Sequence, residues 1–198
     1  MTTRLQDFMA RIARETYPEP YSEGHTYILS QMAPRVAEML PKGASILDVG
    51  SGPGVALKWF TEHGFKPVGV DVNQDNIAAC EAQGFTVLNQ DQNDLPASWH
   101  NWDCVWARHV LEHSIAPYWT LTEFNRVLKP DGVLYVEVPA PGTPCLHETN
   151  QNHYSVLGAE MWMQLINRAG FGIVIATGIT GMTSRGEDKY LAFIARKL

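Results

Sequence analysis

Short apolar runs alternate with helix-length stretches from residue 45 to residue 138, and no other feature of the sequence restricts the fold as much. The runs are Ser45-Ile46-Leu47-Asp48-Val49, Pro67-Val68-Gly69-Val70-Asp71, Phe85-Thr86-Val87-Leu88, Trp102-Asp103-Cys104-Val105-Trp106 and Val133-Leu134-Tyr135-Val136-Glu137-Val138. Between them, residues 55–63, 75–83 and 117–128 have helical texture. In the last, Leu121, Phe124, Val127 and Leu128 fall on one helical face. Gly64, Gly84 and Asp131-Gly132 follow the helices as stop signals. Strand alternating with helix implies parallel strands joined by right-handed crossovers, hence an α/β fold whose sheet is covered on both faces. After Val138 the rhythm changes. A polar, Pro- and His-rich segment over residues 139–155 is too long for an ordinary connection and reads as functional. A helix over 159–169 follows, and two last strands, 171–177 and 190–195, flank a Gly/Thr/Ser-rich link suited to an antiparallel hairpin. Residues 1–43 read as two helices broken around Tyr17-Pro18-Glu19-Pro20-Tyr21. They are expected to form a helical cap or lid on a main domain over 44–198.

Composition narrows the partners. Fifteen Lys and Arg against twenty-one Asp and Glu leave a formal charge of −6, with no basic cluster. Nucleic acid is therefore a poor partner, since phosphate contacts need a basic footprint. No apolar run approaches the roughly 18 residues of a membrane span. The stretch Met1-Thr2-Thr3-Arg4-Leu5-Gln6-Asp7 carries an acid and lacks a leader's apolar run. Cys80, Cys104 and Cys145 are odd in number and lack CxxC spacing, unlike a disulfide framework or zinc ribbon. A cytoplasmic protein is expected; oligomeric state stays open.

The sharpest local feature is Ile46-Leu47-Asp48-Val49-Gly50-Ser51-Gly52-Pro53-Gly54-Val55, which joins a buried strand to a helix start. Glycines at alternate positions let backbone approach a ligand closely, at the strand ends where open α/β sheets bind small molecules. A nicotinamide site wants a third glycine where Val55 stands. Asp48 ahead of the loop would repel a pyrophosphate but suits a ligand bearing an ammonium group. A plain tight turn is the competing account. Asp71 ends the second strand, where a carboxylate can accept both hydroxyls of a ribose; a solvated turn acid or helix cap is the alternative. Asp91 follows the third strand and suits an adenine amino group, while the Gln92 amide suits a ring nitrogen.

With those residues in view, the sequence resembles the class I S-adenosylmethionine-dependent methyltransferases, particularly their small-molecule branch. The resemblance covers residues 44–198 and rests on Leu47-Asp48-Val49-Gly50-Ser51-Gly52-Pro53-Gly54, Val70-Asp71, Asp91 to Pro96, Val110-Leu111-Glu112-His113 and Arg126-Val127-Leu128-Lys129-Pro130-Asp131-Gly132. It implies a Rossmann-like, doubly wound, mostly parallel seven-stranded sheet of order 3-2-1-4-5-7-6, strand 7 antiparallel. It implies S-adenosylmethionine as cofactor and S-adenosylhomocysteine as product. The cofactor residues it implies are Asp48, Gly50, Gly52, Gly54, Asp71, Val72, Asp91, Gln92, Arg108 and His109. Backbone groups of Arg108 and His109 would meet the cofactor's amino group, with the His109 side chain toward a small-molecule methyl acceptor.

His109-Val110-Leu111-Glu112-His113 also matches the His-x-x-Glu-His pattern of a zinc peptidase group, but that chemistry needs a continuous helix, and Pro117 follows soon. In His147-Glu148-Thr149-Asn150-Gln151-Asn152-His153-Tyr154-Ser155 the imidazoles lie over the same pocket. A neutral one near pKa 6.5 can take a proton from an acceptor, which makes His109 and His153 the candidate bases. His113, His147, His153, Tyr154 and, in the cap, Tyr21 are candidate acceptor-side residues. Ordinary hydrogen-bonded loop histidines, and a metal bridging His147, Glu148 and His153, are the alternatives; no metal is assigned. Trp99, Trp102, Trp106 and Trp119 crowd the fourth strand. Trp102 and Trp106 are expected on one face as core, with an aromatic wall for the acceptor as runner-up. Tyr17, Tyr21, His25 and Tyr27 either cover the cofactor or pack the cap down. Two function classes survive: methyl transfer, and a non-catalytic module holding the same cofactor. A nicotinamide oxidoreductase is disfavoured by Val55 and Asp48.

Overall fold

The computed structural model describes residues 23–198 together with residues 4, 7, 8, 11 and 12. Tyr17 and Tyr21 lie outside the described residues, as do the side chains of His25 and Tyr27. Helix α1 (Glu23–Ala37) precedes strands β1 (Ser45–Val49), β2 (Lys66–Asp71), β3 (Val87–Asn89), β4 (Trp102–Arg108), β5 (Leu128–Pro139), β6 (Phe171–Thr183) and β7 (Gly186–Lys197). Helices α2 (Val55–Glu62), α3 (Gln74–Ala82), α4 (Pro117–Val127) and α5 (Ala159–Arg168) fall between them. The strands form one sheet of order β3-β2-β1-β4-β5-β7-β6. β1 to β5 pair in parallel, and β7 runs antiparallel to both β5 and β6. This is the doubly wound α/β order expected from the sequence.

The strands are apolar on both faces because helices cover both, and side chains alternate between them. Leu47, Val49, Val105, Ala107, Leu134, Val136 and Val138 pack with Leu121, Phe124 and Val127 of α4 and Trp162 and Ile166 of α5. On the opposite face Ile46, Cys104, Trp106, Val133, Tyr135, Tyr190, Ala192 and Ile194 pack with Ile28, Leu29, Met32, Ala33 and Val36 of α1 and Phe60 of α2. Each fully buried large side chain contributes about 1.5–3 kcal/mol. Two-residue periodicity has a consequence for the site: Asp48, Arg108, Glu137 and Asp188 share parity with Ile46, Trp106, Tyr135 and Tyr190. All four belong to the face that α1 covers.

Two expectations are corrected. Trp102 and Trp106 do not share a face. The β4–β5 register shifts between Trp102 and Cys104, and such an irregularity reverses the alternation. Trp102 packs edge-to-face with Trp99 (5.8 Å between ring centroids) on the α4 side, whereas Trp106 stacks on Tyr135 at 4.0 Å on the other. Trp119 is exposed and donates to the Asn93 carbonyl (2.8 Å), so the four indoles form no common wall. The last hairpin is also longer than expected. β6 and β7 run through the Gly/Thr/Ser-rich link and pair as far as Thr183 and Gly186. As an edge strand with one face to solvent, β6 needs no second apolar face, and that composition does not stop it.

Candidate functional site

The loop after β1 is held open by its own backbone. At Gly50 (φ +69°) a Cβ would stand 2.4 Å from Val110 Cγ2, so the loop presses on the turn after β4. At Gly52 (φ +52°) a Cβ would meet nothing within 4 Å: the crest borders open space. Gly54, also at positive φ, starts α2. The Gly52 N–H donates to Asp71 Oδ2 at 2.8 Å, and the Asn73 N–H to Asp71 Oδ1 at 2.8 Å. Asp71 is thus buried and braces the crest, unlike a solvated turn acid. Val72, beside it, is half-buried.

Asp48 is 2% exposed, and its Oδ2 has no hydrogen-bond partner. Burial first, then the charge of Asp71, push its pKa well above the ordinary carboxylate range; Arg108 pulls the other way. A buried acceptor without a donor is rare and calls for an explanation. Here it sits beside a second carboxylate on the face α1 covers, at the foot of a crest open to a ligand. That donor-poor, negative setting fits a ligand carrying an ammonium group, which the expected cofactor has. Further along the rim, Asp91 Oδ1 accepts from the Asn93 N–H (2.7 Å) and side-chain amide (2.8 Å). The Gln92 nitrogen donates to the Val110 carbonyl at 3.0 Å, and its buried Oε1 has no partner.

The turn after β4 is organised by charge. Arg108 Nε donates to Glu137 Oε1 at 2.9 Å, and Tyr135 donates its hydroxyl to Glu137 Oε2. Burial alone would raise the pKa of Glu137; His109, Arg108 and Tyr135 outweigh it and hold the group at about 2. His109 stands in the left-handed region (φ 54°), its N–H donating to the Glu137 carbonyl at 2.9 Å. Its Nε2 lies 3.0 Å from Glu137 Oε1 and its Nδ1 3.5 Å from Glu112 Oε1. Burial would lower its pKa, but the two carboxylates raise it to about 9. A cation clasped by two carboxylates has no lone pair to take a proton, so these surroundings speak against His109 as the expected base.

The segment after β5 folds back onto that turn. The Tyr154 and Ser155 N–H groups both donate to the Glu112 carbonyl (2.7 and 3.0 Å), and His113 Nδ1 lies 2.9 Å from the Asn152 carbonyl. His153 Nδ1 lies 3.0 Å from the His147 carbonyl and its Nε2 3.2 Å from Asn150 Nδ2. His147 Nε2 sits 3.0 and 3.1 Å from the two oxygens of Asp188, which also accepts from the Thr143 hydroxyl. The structure therefore gathers His113, His147 and His153, with ring centroids 4.9 Å (His113–His153) and 5.7 Å (His147–His153) apart. His109 stays apart, packed edge-on against Tyr190 at 4.8 Å. The Tyr154 side chain is exposed. The triple His147–Glu148–His153 does not assemble. The Glu148 carboxylate is fully exposed and accepts from the Gly142 N–H, while His147 groups with Cys145 and Asp188, and His153 with Glu112 and His113. The zinc-peptidase arrangement is likewise absent, because only a single 3-10 turn, Leu111–His113, follows His109.

Sequence reasoning missed Glu137, Asp188 and Tyr190. Glu137 carried a readable signal: an acid inside an otherwise apolar run destined for burial must find a partner. Asp188 carried none, since its segment was read as a link.

Among the described residues no helix is long and apolar enough to cross a membrane. Residues 22–174 match a family described as a methyltransferase domain. An uncharacterized methyltransferase of Mycobacterium sp. (strain KMS) is 31% identical over 124 residues, covering 59% of this chain and 48% of that protein. A malonyl-[acyl-carrier protein] O-methyltransferase of Enterobacter lignolyticus is 23% identical over 134 residues, covering 65% and 53%. The chain thus spans about half the length of the curated relatives it matches. Among solved structures, a SAM dependent methyltransferase from Archaeoglobus fulgidus superposes with a TM-score of 0.70 at 20% identity, covering 87% of this chain and 94% of that one. The [4+2]-cyclase SpnF superposes with a TM-score of 0.70 at 22% identity, covering 84% and 80%. At such identities these neighbours speak for the fold alone. The family match runs over more than half of the chain and includes both the glycine loop and the turn after β4, so the chain belongs to the methyltransferase domain family.

Proposed function

We propose that the protein transfers a methyl group from S-adenosylmethionine to a small-molecule acceptor, by in-line displacement in a capped pocket. The observation that carries this reading is the buried Asp48 carboxylate, with an unpartnered oxygen beneath the open crest at Gly52. Bound there, S-adenosylmethionine supplies a methyl group made electrophilic by its sulfonium centre. Asp48 holds the ligand's ammonium group, helped by the backbone of Arg108 and His109. Asp71, already fixed by the crest, takes the ribose hydroxyls. Val72, Asp91 and Gln92 line the adenine end, and Gly50 and Gly54 keep the loop's curvature. Because Glu137 holds Arg108 (2.9 Å), that guanidinium stays off the Asp48 oxygen and leaves it to the ligand. Residues 1–43 serve as the cap; α1, within them, packs on the same sheet face as Asp48. His113, His147, His153 and Tyr154 border the acceptor.

Catalysis in such a site rests on alignment and exclusion of water, worth up to roughly 7–11 kcal/mol when reactants are preorganised. A net charge of −6 without a basic cluster favours a metabolite over nucleic acid. Oxygen is the acceptor atom we favour, as in the O-methyltransferase among the relatives. Titration calorimetry with S-adenosylhomocysteine tests the reading. One site per chain is expected, with Asp48→Asn weakening it at least about tenfold; absence of binding at millimolar ligand would overturn it.

A further inference from the structure

We propose that Glu112, His113 and His153 form a binding site for a divalent transition-metal cation of the zinc type, whose open positions take an oxygen of the acceptor. The assignment of the acceptor rests on the methyl-transfer reading; the cation site does not. One donor atom from each residue lies within 4.8 Å of the others. Ligands about 2.0–2.2 Å from a zinc ion stand roughly 3.4 Å apart, so side-chain rotation through about an ångström closes the set.

Three further observations point to a cation. Glu112 is 1% exposed, and its Oε2 has no hydrogen-bond partner. Both imidazoles have Nδ1 facing a backbone carbonyl, Asn152 for His113 (2.9 Å) and His147 for His153 (3.0 Å). A carbonyl cannot donate, so Nδ1 carries the hydrogen and Nε2 the lone pair in each ring. This is the outer support that fixes the tautomer of ligating histidines. Asn150 Nδ2 lies 3.2 Å from His153 Nε2, a contact that a cation would replace. Finally, the set is assembled before any ion arrives, because the Tyr154 and Ser155 N–H groups and the His113 ring pin residues 152–155 onto Glu112 and His113.

Two imidazoles and one carboxylate suit a borderline divalent cation better than magnesium or calcium, which prefer oxygen. Three protein ligands leave positions open, and the partial exposure of His113 and His153 opens them to the acceptor pocket. An acceptor hydroxyl bound there would lose its proton to water at lower pH, and His153 would then serve as a ligand and not as a base.

The test is zinc titration of the chelator-treated protein by calorimetry, with cobalt(II) visible spectra as a second readout. One ion per chain is expected, weakened more than about 100-fold in His113→Ala and His153→Ala, the upper end of what losing an outer partner costs. Glu112→Gln is expected to weaken it too, and Cys145→Ser and His63→Ala to leave it unchanged. S-adenosylhomocysteine titration of each variant reports separately on folding and on the donor site. Absence of one-to-one zinc binding, affinity indifferent to His113 and His153, or loss of the ion in Cys145→Ser would overturn the assignment. Failure of S-adenosylhomocysteine to bind while zinc binding follows this pattern would overturn the methyl-transfer reading alone.

Discussion

Two regions of the candidate site are built differently. The rim proposed for the donor is shaped by backbone, a glycine crest between β1 and α2, and carries carboxylates at successive strand ends, Asp48, Asp71 and Asp91. The region after β4, proposed for the acceptor, is made of side chains that meet across long separations. Arg108 reaches Glu137, His113 reaches the carbonyl of Asn152, and His147 reaches Asp188, 29 to 41 residues apart in sequence. A site carved from backbone writes itself into local spacing and glycine positions. A site knitted from buried charges writes only residue types, and its stability and its geometry are the same property.

The largest test of that contrast is Glu137. Its removal breaks the buried ion pair with Arg108, a loss that typically costs about 3–5 kcal/mol; Glu137→Gln should lower the denaturation midpoint accordingly. The same pairing sets an acid limit. A carboxylate held at about 2 instead of 4.5 contributes stability that is present above pH 4.5 and lost as pH falls toward 2. Thermal melts over that range should be steeper in pH for the wild type than for Glu137→Gln.

The two loop glycines split fold from binding. Gly50→Ala drives a Cβ into Val110 at positive φ and should cost about 2–4 kcal/mol of stability. At Gly52 the added Cβ meets nothing, so Gly52→Ala should cost only the left-handed backbone, about 1–2 kcal/mol. It should still abolish most S-adenosylhomocysteine affinity, because the methyl group enters the ligand's space. Equal losses of stability in the two variants would contradict the assignment of the crest. The smallest stability effect belongs to Asp48. Asp48→Asn should shift it by less than about 1 kcal/mol, since a carboxylate whose pKa burial raises gains little from its charge.

The same contrast governs what the sequence discloses. The strand order is what the family resemblance implies, whereas the alternation of strands and helices, the glycine loop and the rim carboxylates follow from two-residue and helical periods and from Gly and Asp at strand ends. The face of Trp102 does not, because one register shift in β4 reverses it. The length of β6 does not either, because an edge strand tolerates glycine and threonine that would end an interior one. The bond between the His113 ring and the Asn152 carbonyl leaves no periodic trace. Glu137 stood in plain view as an acid in an apolar run, and burial logic would have asked for its partner.

The account stands most directly on a crystal structure with S-adenosylhomocysteine. The predicted result is the ligand's amino group within hydrogen-bond distance of Asp48 Oδ2, its backbone passing over Gly52 and its ribose at Asp71. A ligand seated elsewhere, or one leaving that oxygen unpaired beneath an empty crest, would contradict it.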